Sequence, residues 1–189
     1  MEPTQLRTIS KRMSKVLRHA PESVGLTLDA NGWVPVAELL AALSRHGRPV
    51  TRDELDAVVA GNDKQRFAVR TGPDGVDRVR ASQGHSARVQ VDLALIPVTP
   101  PEQLYHGTAA VNVPAILVEG LRPGRRHHVH LSVDVATAVT VGRRRGGAVS
   151  VLMVDAAKLA ARGHDFYRSD NGVWLTDAVP PDVIRPLAD

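Results

Sequence analysis

Apolar positions in the first sixty residues recur with a helical period. Ile9, Met13, Val16 and Leu17 stand at i, i+4, i+7 and i+8, which predicts a helix over 7–19 with Lys11, Lys15 and Arg18 on its opposite face. Trp33 to Leu43 predicts a second helix, with Pro35 near its start and Val36, Leu39, Leu40 and Leu43 along one side. Thr51-Arg52-Asp53-Glu54 has the spacing of a capping box and opens a third helix with Leu55, Val58 and Val59 inward. The period then drops to two. Residues 66–70 and 76–80 alternate in character around Thr71-Gly72-Pro73-Asp74-Gly75, the pattern of a β-hairpin. Three helices and a hairpin is the order of a winged helix-turn-helix module, which serves either nucleic-acid binding or protein interaction. Arg66, Arg70, Arg78 and Arg80 on the hairpin favour nucleic acid.

The second half reads differently. Proline-bounded residues 96–101 precede Tyr105-His106-Gly107-Thr108. Glycine there suits a turn, either one that presses its backbone against a ligand flanked by His106 and Thr108 or one that binds nothing. Val111–Glu119 predicts a helix stopped by Gly120, and Asp134–Val141 a short one. Val149–Val154 predicts a buried strand, and 166–169 with 173–176 a second hairpin around Asp170-Asn171-Gly172. The expected organisation is α+β: a winged-helix lobe over 1–92, a linker over 93–101, and a β-sheet lobe over 102–189.

Composition narrows the chemistry. The 189 residues include no cysteine, which excludes disulfides, thiolate nucleophiles and cysteine metal sites. No apolar run reaches the length of a membrane helix and the first residues lack a signal-peptide core, so a cytoplasmic protein is expected. With 24 Lys+Arg against 20 Asp+Glu the net charge is only +4, so clustering of the basic residues matters more than their number. His127, His128 and His130 lack carboxylates or a second ligand group at zinc-site spacing, and no metal is expected. Ala81-Ser82-Gln83-Gly84-His85-Ser86, between Arg80 and Arg88, suits either a phosphate cradle or a connecting loop. Neither a G-x-G-x-x-G nor a Walker A pattern occurs.

Seven segments taken in order resemble the RNA 2′-phosphotransferase family. They are Ser14–His19, Asp29–Val34, Asn62–Phe67, Arg80–Ser86, Tyr105–Thr108, His130–Ser132 and Ser169–Thr176. The resemblance implies an N-terminal winged-helix RNA lobe and a C-terminal ADP-ribosyltransferase-like lobe that binds NAD in a cleft between antiparallel-rich sheets. It further implies NAD-dependent removal of an RNA 2′-phosphate by transfer to ADP-ribose, without a metal; a monomer is expected. Family catalytic positions fall on Arg18, His19, Arg66 and one arginine of Arg143-Arg144-Arg145. Gapless alignment of Val141–Ala148 selects Arg144, although Arg145, Gly147 and Ala148 replace the family's His, Lys and Pro. NAD contacts are implied for His106, Gly107, Thr108, His130, Leu131 and Ser132, with Val173 near the nicotinamide end. Other ADP-ribosyltransferases commonly carry a glutamate at this last position; an aliphatic residue fits a nucleophile that needs no deprotonation. The principal rival is an ADP-ribosyltransferase acting on nucleic-acid phosphates or protein that stops after one transfer. A second rival is an RNA-binding protein without activity.

Overall fold

A computed structural model describes residues 2–61 and 65–187, in two compact units, 1–94 and 95–189. Asn62, Asp63 and Lys64, part of the third family-like segment, lie outside the described residues.

Helix α1 (Pro3–Arg18) starts four residues before the expected position. Proline at the first helical position lacks only an N–H that would have no partner there. The second predicted helix begins late. Val34–Pro35 forms strand β1, and α2 spans Val36–Arg45. A residue before proline is driven to extended backbone, and Val34 there pairs across to Val79. Helix α3 (Arg52–Ala60) carries the expected capping box: the Glu54 N–H donates to Thr51 Oγ1 at 3.2 Å and the Thr51 N–H to Glu54 Oε2 at 3.0 Å. Strands β2 (Phe67–Thr71) and β3 (Asp77–Ala81) form the hairpin, and β1 completes an antiparallel sheet in the order β1-β3-β2. Met13, Leu17, Leu39, Leu43, Leu55, Phe67 and Val79 meet in one core.

The second unit contains two three-stranded antiparallel sheets. One is β4 (Gln103–Ala109), β6 (Val149–Asp155) and β9 (Ile184–Pro186), in the order β4-β6-β9. The other is β5 (Val129–Leu131), β7 (Tyr167–Arg168) and β8 (Trp174–Thr176), in the order β5-β8-β7. Helices α4 (Val113–Glu119), α5 (Val135–Gly142) and α6 (Ala156–Ala161) connect them. A reciprocal backbone pair between Tyr105 and Ser132, at 2.8 and 2.7 Å, ties β4 to the residue that follows β5. Leu104, Leu131, Leu152, Phe166 and Trp174 pack in the core of this unit. Among the described residues no helix is long and apolar enough to cross a membrane.

The Tyr105–Thr108 segment is the largest departure from expectation. It is the middle of a seven-residue strand, not a turn, and pairs throughout with β6. Side chains alternate along a strand, so His106 and Thr108 face one side and Gly107 the other. A Cβ at Gly107 would lie 1.7 Å from the Ala138 carbonyl oxygen. The glycine therefore lets α5 lie directly on the strand.

Candidate functional site

In the first unit, Arg18 and His19 end α1 and Arg66 immediately precedes β2. The structure brings the three together. An Arg18 Nη2 group donates to the Arg66 carbonyl at 3.1 Å, so the end of the helix grips the start of the strand. The loop after β3 braces both. The Ser82 N–H donates to the Arg66 carbonyl and the Ser86 N–H to the Arg18 carbonyl, each at 2.9 Å. His19 Nδ1 and Ser86 Oγ share a hydrogen bond of 2.6 Å, and Arg88 Nε donates to the His19 carbonyl at 2.8 Å. His19 is exposed and Arg18 and Arg66 half-buried, so all three are accessible to a ligand.

This bonding changes the reading of residues 81–86. The N–H groups of Ser82 and Ser86 point inward to the Arg66 and Arg18 carbonyls, so these two belong to the fold. At its two ends the segment fixes the main chain at Arg66 and Arg18. Its serines were visible in the sequence, but their partners were not, because these lie 16 and 68 residues away.

The hairpin arginines also separate. Arg70 and Arg80 lie over the Trp33 ring, with guanidinium carbons 4.1 and 4.7 Å from its centroid. Arg80 is buried and donates to the Leu93 carbonyl at 3.2 Å. Arg78 pairs with Asp74 at 2.7 Å, which holds the Asp74 carboxyl well below the usual carboxylate range. Arg70 and Arg80 thus stack on Trp33 and Arg78 pairs with Asp74, while Arg66 lines the groove beside α1.

In the second unit, the pair between Tyr105 and Ser132 sets the His106 and His130 segments side by side. His106 Nδ1 bonds the His130 carbonyl at 3.1 Å, and His130 Nδ1 bonds the His128 carbonyl at 2.9 Å. A carbonyl only accepts, so each Nδ1 carries the proton. His106, His130 and Ser132 are half-buried. Thr108 is buried and accepts from Asn112 Nδ2 at 3.2 Å, while Leu131 fills the core. Arg143–Arg145 form a single 3-10 turn directly after α5, alongside β4, with Arg143 and Arg144 exposed. Val173 is half-buried in the β7–β8 connection, and its N–H donates to Ser169 Oγ at 3.1 Å.

His128 faces Tyr167 edge-on, with ring centroids 5.6 Å apart. Among the described residues no group of three or more His, Asp or Glu side chains is placed to hold a metal ion.

A family-wide sequence profile described as "RNA 2'-phosphotransferase, Tpt1 / KptA family" matches residues 4–178. The chain is 57% identical over 185 residues to a protein of Streptomyces griseus named "Probable RNA 2'-phosphotransferase", covering 96% of each chain. A protein of the same name from Agrobacterium fabrum is 55% identical over 180 residues, covering 95% of this chain and 94% of its own. Another, from Nostoc punctiforme, is 49% identical over 188 residues, covering 99% of this chain and all of its own.

Proposed function

Because the chain belongs to the RNA 2′-phosphotransferase family, we propose that it removes a 2′-phosphate from RNA by transferring it to the ADP-ribose portion of NAD. The first unit acts as a winged-helix RNA lobe and the second as an ADP-ribosyltransferase-like lobe. The observation that carries this reading is the braced cluster of Arg18, His19 and Arg66, held by hydrogen bonds from Ser82, Ser86 and Arg88. Guanidinium groups keep their charge and bind phosphate oxygens bidentately, and a fixed cluster does so with little reorganisation.

In the first step an oxygen of the RNA 2′-phosphate attacks C1″ of the nicotinamide ribose. The glycosidic C–N bond breaks, and its electron pair neutralises the departing nicotinamide. The phosphate is already anionic at neutral pH, so no general base is needed. Arg18, Arg66 and Arg144 supply position and charge. In the second step the O2″ hydroxyl of the RNA-2′-phospho-ADP-ribose adduct attacks phosphorus. The bond from phosphorus to the RNA 2′-oxygen breaks, and the proton lost by O2″ appears on the 2′-oxygen. His19, oriented by Ser86, moves that proton, and the arginines stabilise the charge gathered at phosphorus. Products are RNA with a free 2′-hydroxyl, nicotinamide and ADP-ribose 1″,2″-cyclic phosphate.

NAD suits the second unit because His106, His130 and Ser132 offer polar groups along the β4–β5 junction while remaining half-buried. Gly107, Thr108 and Leu131 act there by holding the backbone, and Val173 lies towards the nicotinamide end. The deciding experiment incubates labelled NAD with an oligonucleotide bearing one internal 2′-phosphate. Release of cyclic phosphate is expected. Label that stays on RNA or protein, with no cyclic product, favours a single-transfer ADP-ribosyltransferase.

A further inference from the structure

Arg7, Lys11, Lys15 and Arg18 fall on one face of α1, since positions spaced by four and by eleven residues nearly superpose at 3.6 residues per turn. They line a groove of about 760 Å³ that ends at Arg18, His19 and Arg66. Its far wall is the end of α3, at Val58 and Gly61. No carboxylate is among the described residues that line it. The described ion pairs of this unit use Arg48, Arg52 and Arg78, and none involves Arg7, Lys11 or Lys15.

Like charges at i, i+4 disfavour an isolated helix, so this stripe calls for an anion that runs along it. From Arg7 to Arg18 the helix rises about 16 Å, several times the width of one phosphate. A single 2′-phosphate engages only the Arg18 end. We propose that the stripe of Arg7, Lys11 and Lys15 is a track for the backbone phosphates of single-stranded RNA flanking the modified nucleotide. This rests on the reading that Arg18, His19 and Arg66 take an RNA 2′-phosphate. The enzyme accordingly prefers a 2′-phosphate embedded in a strand to one on a minimal substrate. Arg7, Lys11 and Lys15 are positioning residues for the polymer and do not touch the reacting atoms.

The test is binding without NAD, by fluorescence anisotropy. One probe is a single-stranded oligoribonucleotide of about eight nucleotides with an internal 2′-phosphate, and the other a dinucleotide carrying the same group. The variant combines Arg7→Ala, Lys11→Ala and Lys15→Ala, changes that raise helix propensity and leave the buried face of α1 intact. The wild type is expected to bind the longer probe more tightly. The variant should lose about tenfold or more on it, with a salt slope shallower by about 2, from roughly 0.7 for each lost phosphate contact. Dinucleotide binding should not change. Equal binding of the longer probe by both proteins overturns the track, as does an equal loss on the dinucleotide. So does displacement of the longer probe by polyglutamate as readily as by unlabelled RNA, which would mark an acidic protein segment as the occupant. A wild type that shows the binding pattern but releases no cyclic phosphate sinks the proposed reaction and leaves the track standing. One that turns over both probes with equal kcat/KM and salt dependence does the reverse.

Discussion

Replacing Gly107 by alanine separates a glycine kept for packing from one kept for ligand approach. The new Cβ would lie 1.7 Å from the Ala138 carbonyl oxygen, 2.5 Å from its carbon and 3.0 Å from the Gly142 nitrogen. All three are backbone atoms and cannot rotate away. Comfortable separations are near 3.5 Å, so α5 must retreat by roughly 1.5–2 Å. The helix cannot do so freely. Asp134 caps its start, and the helix packs on both β4 and β6. Overpacking of ordinary side chains destabilises by about 1–3 kcal/mol, and a backbone clash belongs at or above the top of that range. For a unit of this size, about 3 kcal/mol lowers the melting temperature by roughly 12–24 °C. Gly142→Ala is the control. Its Cβ meets the Val149 side chain at 2.6 Å and the Thr108 and Gly107 backbone only at 3.2 and 3.3 Å, a far milder crowding, and alanine within a helix recovers up to about 1 kcal/mol of propensity. The chain has two tryptophans, one in each unit, so Trp33→Phe leaves Trp174 to report denaturant unfolding of the second. Gly107→Ala should unfold far earlier than Gly142→Ala. Wild-type unfolding together with lost NAD use would refute the packing argument and return Gly107 to the ligand.

Four further outcomes are expected. Ser132→Ala and His106→Ala should weaken NAD use and leave RNA binding largely intact; lost RNA binding with unchanged NAD affinity would overturn the division between the units. Arg144→Ala should slow the second step by about 10²–10³ and accumulate the RNA-2′-phospho-ADP-ribose adduct, which Arg143→Ala and Arg145→Ala should not. A time-course gel resolves this, and adduct in either neighbour but not in Arg144→Ala would show that another arginine acts at phosphorus. Activity should survive excess chelator, and full loss restored by a divalent ion would return attention to His127, His128 and His130. Finally, hydrogen bonds from Thr137 hold the Asp134 carboxyl below its ordinary range. Its contribution to α5 is therefore complete above the ordinary carboxylate pKa and lost as pH falls through the lowered one. Asp134→Asn keeps a capping oxygen but cannot ionise, so its stability gap from the wild type should close on acidification below about pH 4. A gap that is constant with pH would contradict this.

Local rules in the sequence determined most of the elements. The apolar stripe of Ile9, Met13, Val16 and Leu17, the capping box at Thr51 and Glu54, the glycine after Glu119 and the Gly75 turn each act over a few residues, and each forms where expected. The RNA 2′-phosphotransferase family was also legible in ordered short segments, because such segments survive without knowledge of contacts. Tertiary structure decided what depends on distant partners. Val34 and Pro35 became a strand because β3 was there to pair with them, against a helical apolar pattern. Tyr105–Thr108 became a strand because β6 supplied a full ladder, and Gly107 was needed because α5 lies on it. Arg70, Arg78 and Arg80 looked equivalent to Arg66 in the sequence, since charge carries no direction. Folding gave the first three Trp33 and Asp74 as partners and set Arg66 beside Arg18, where Ser82 and Ser86 hold both in place.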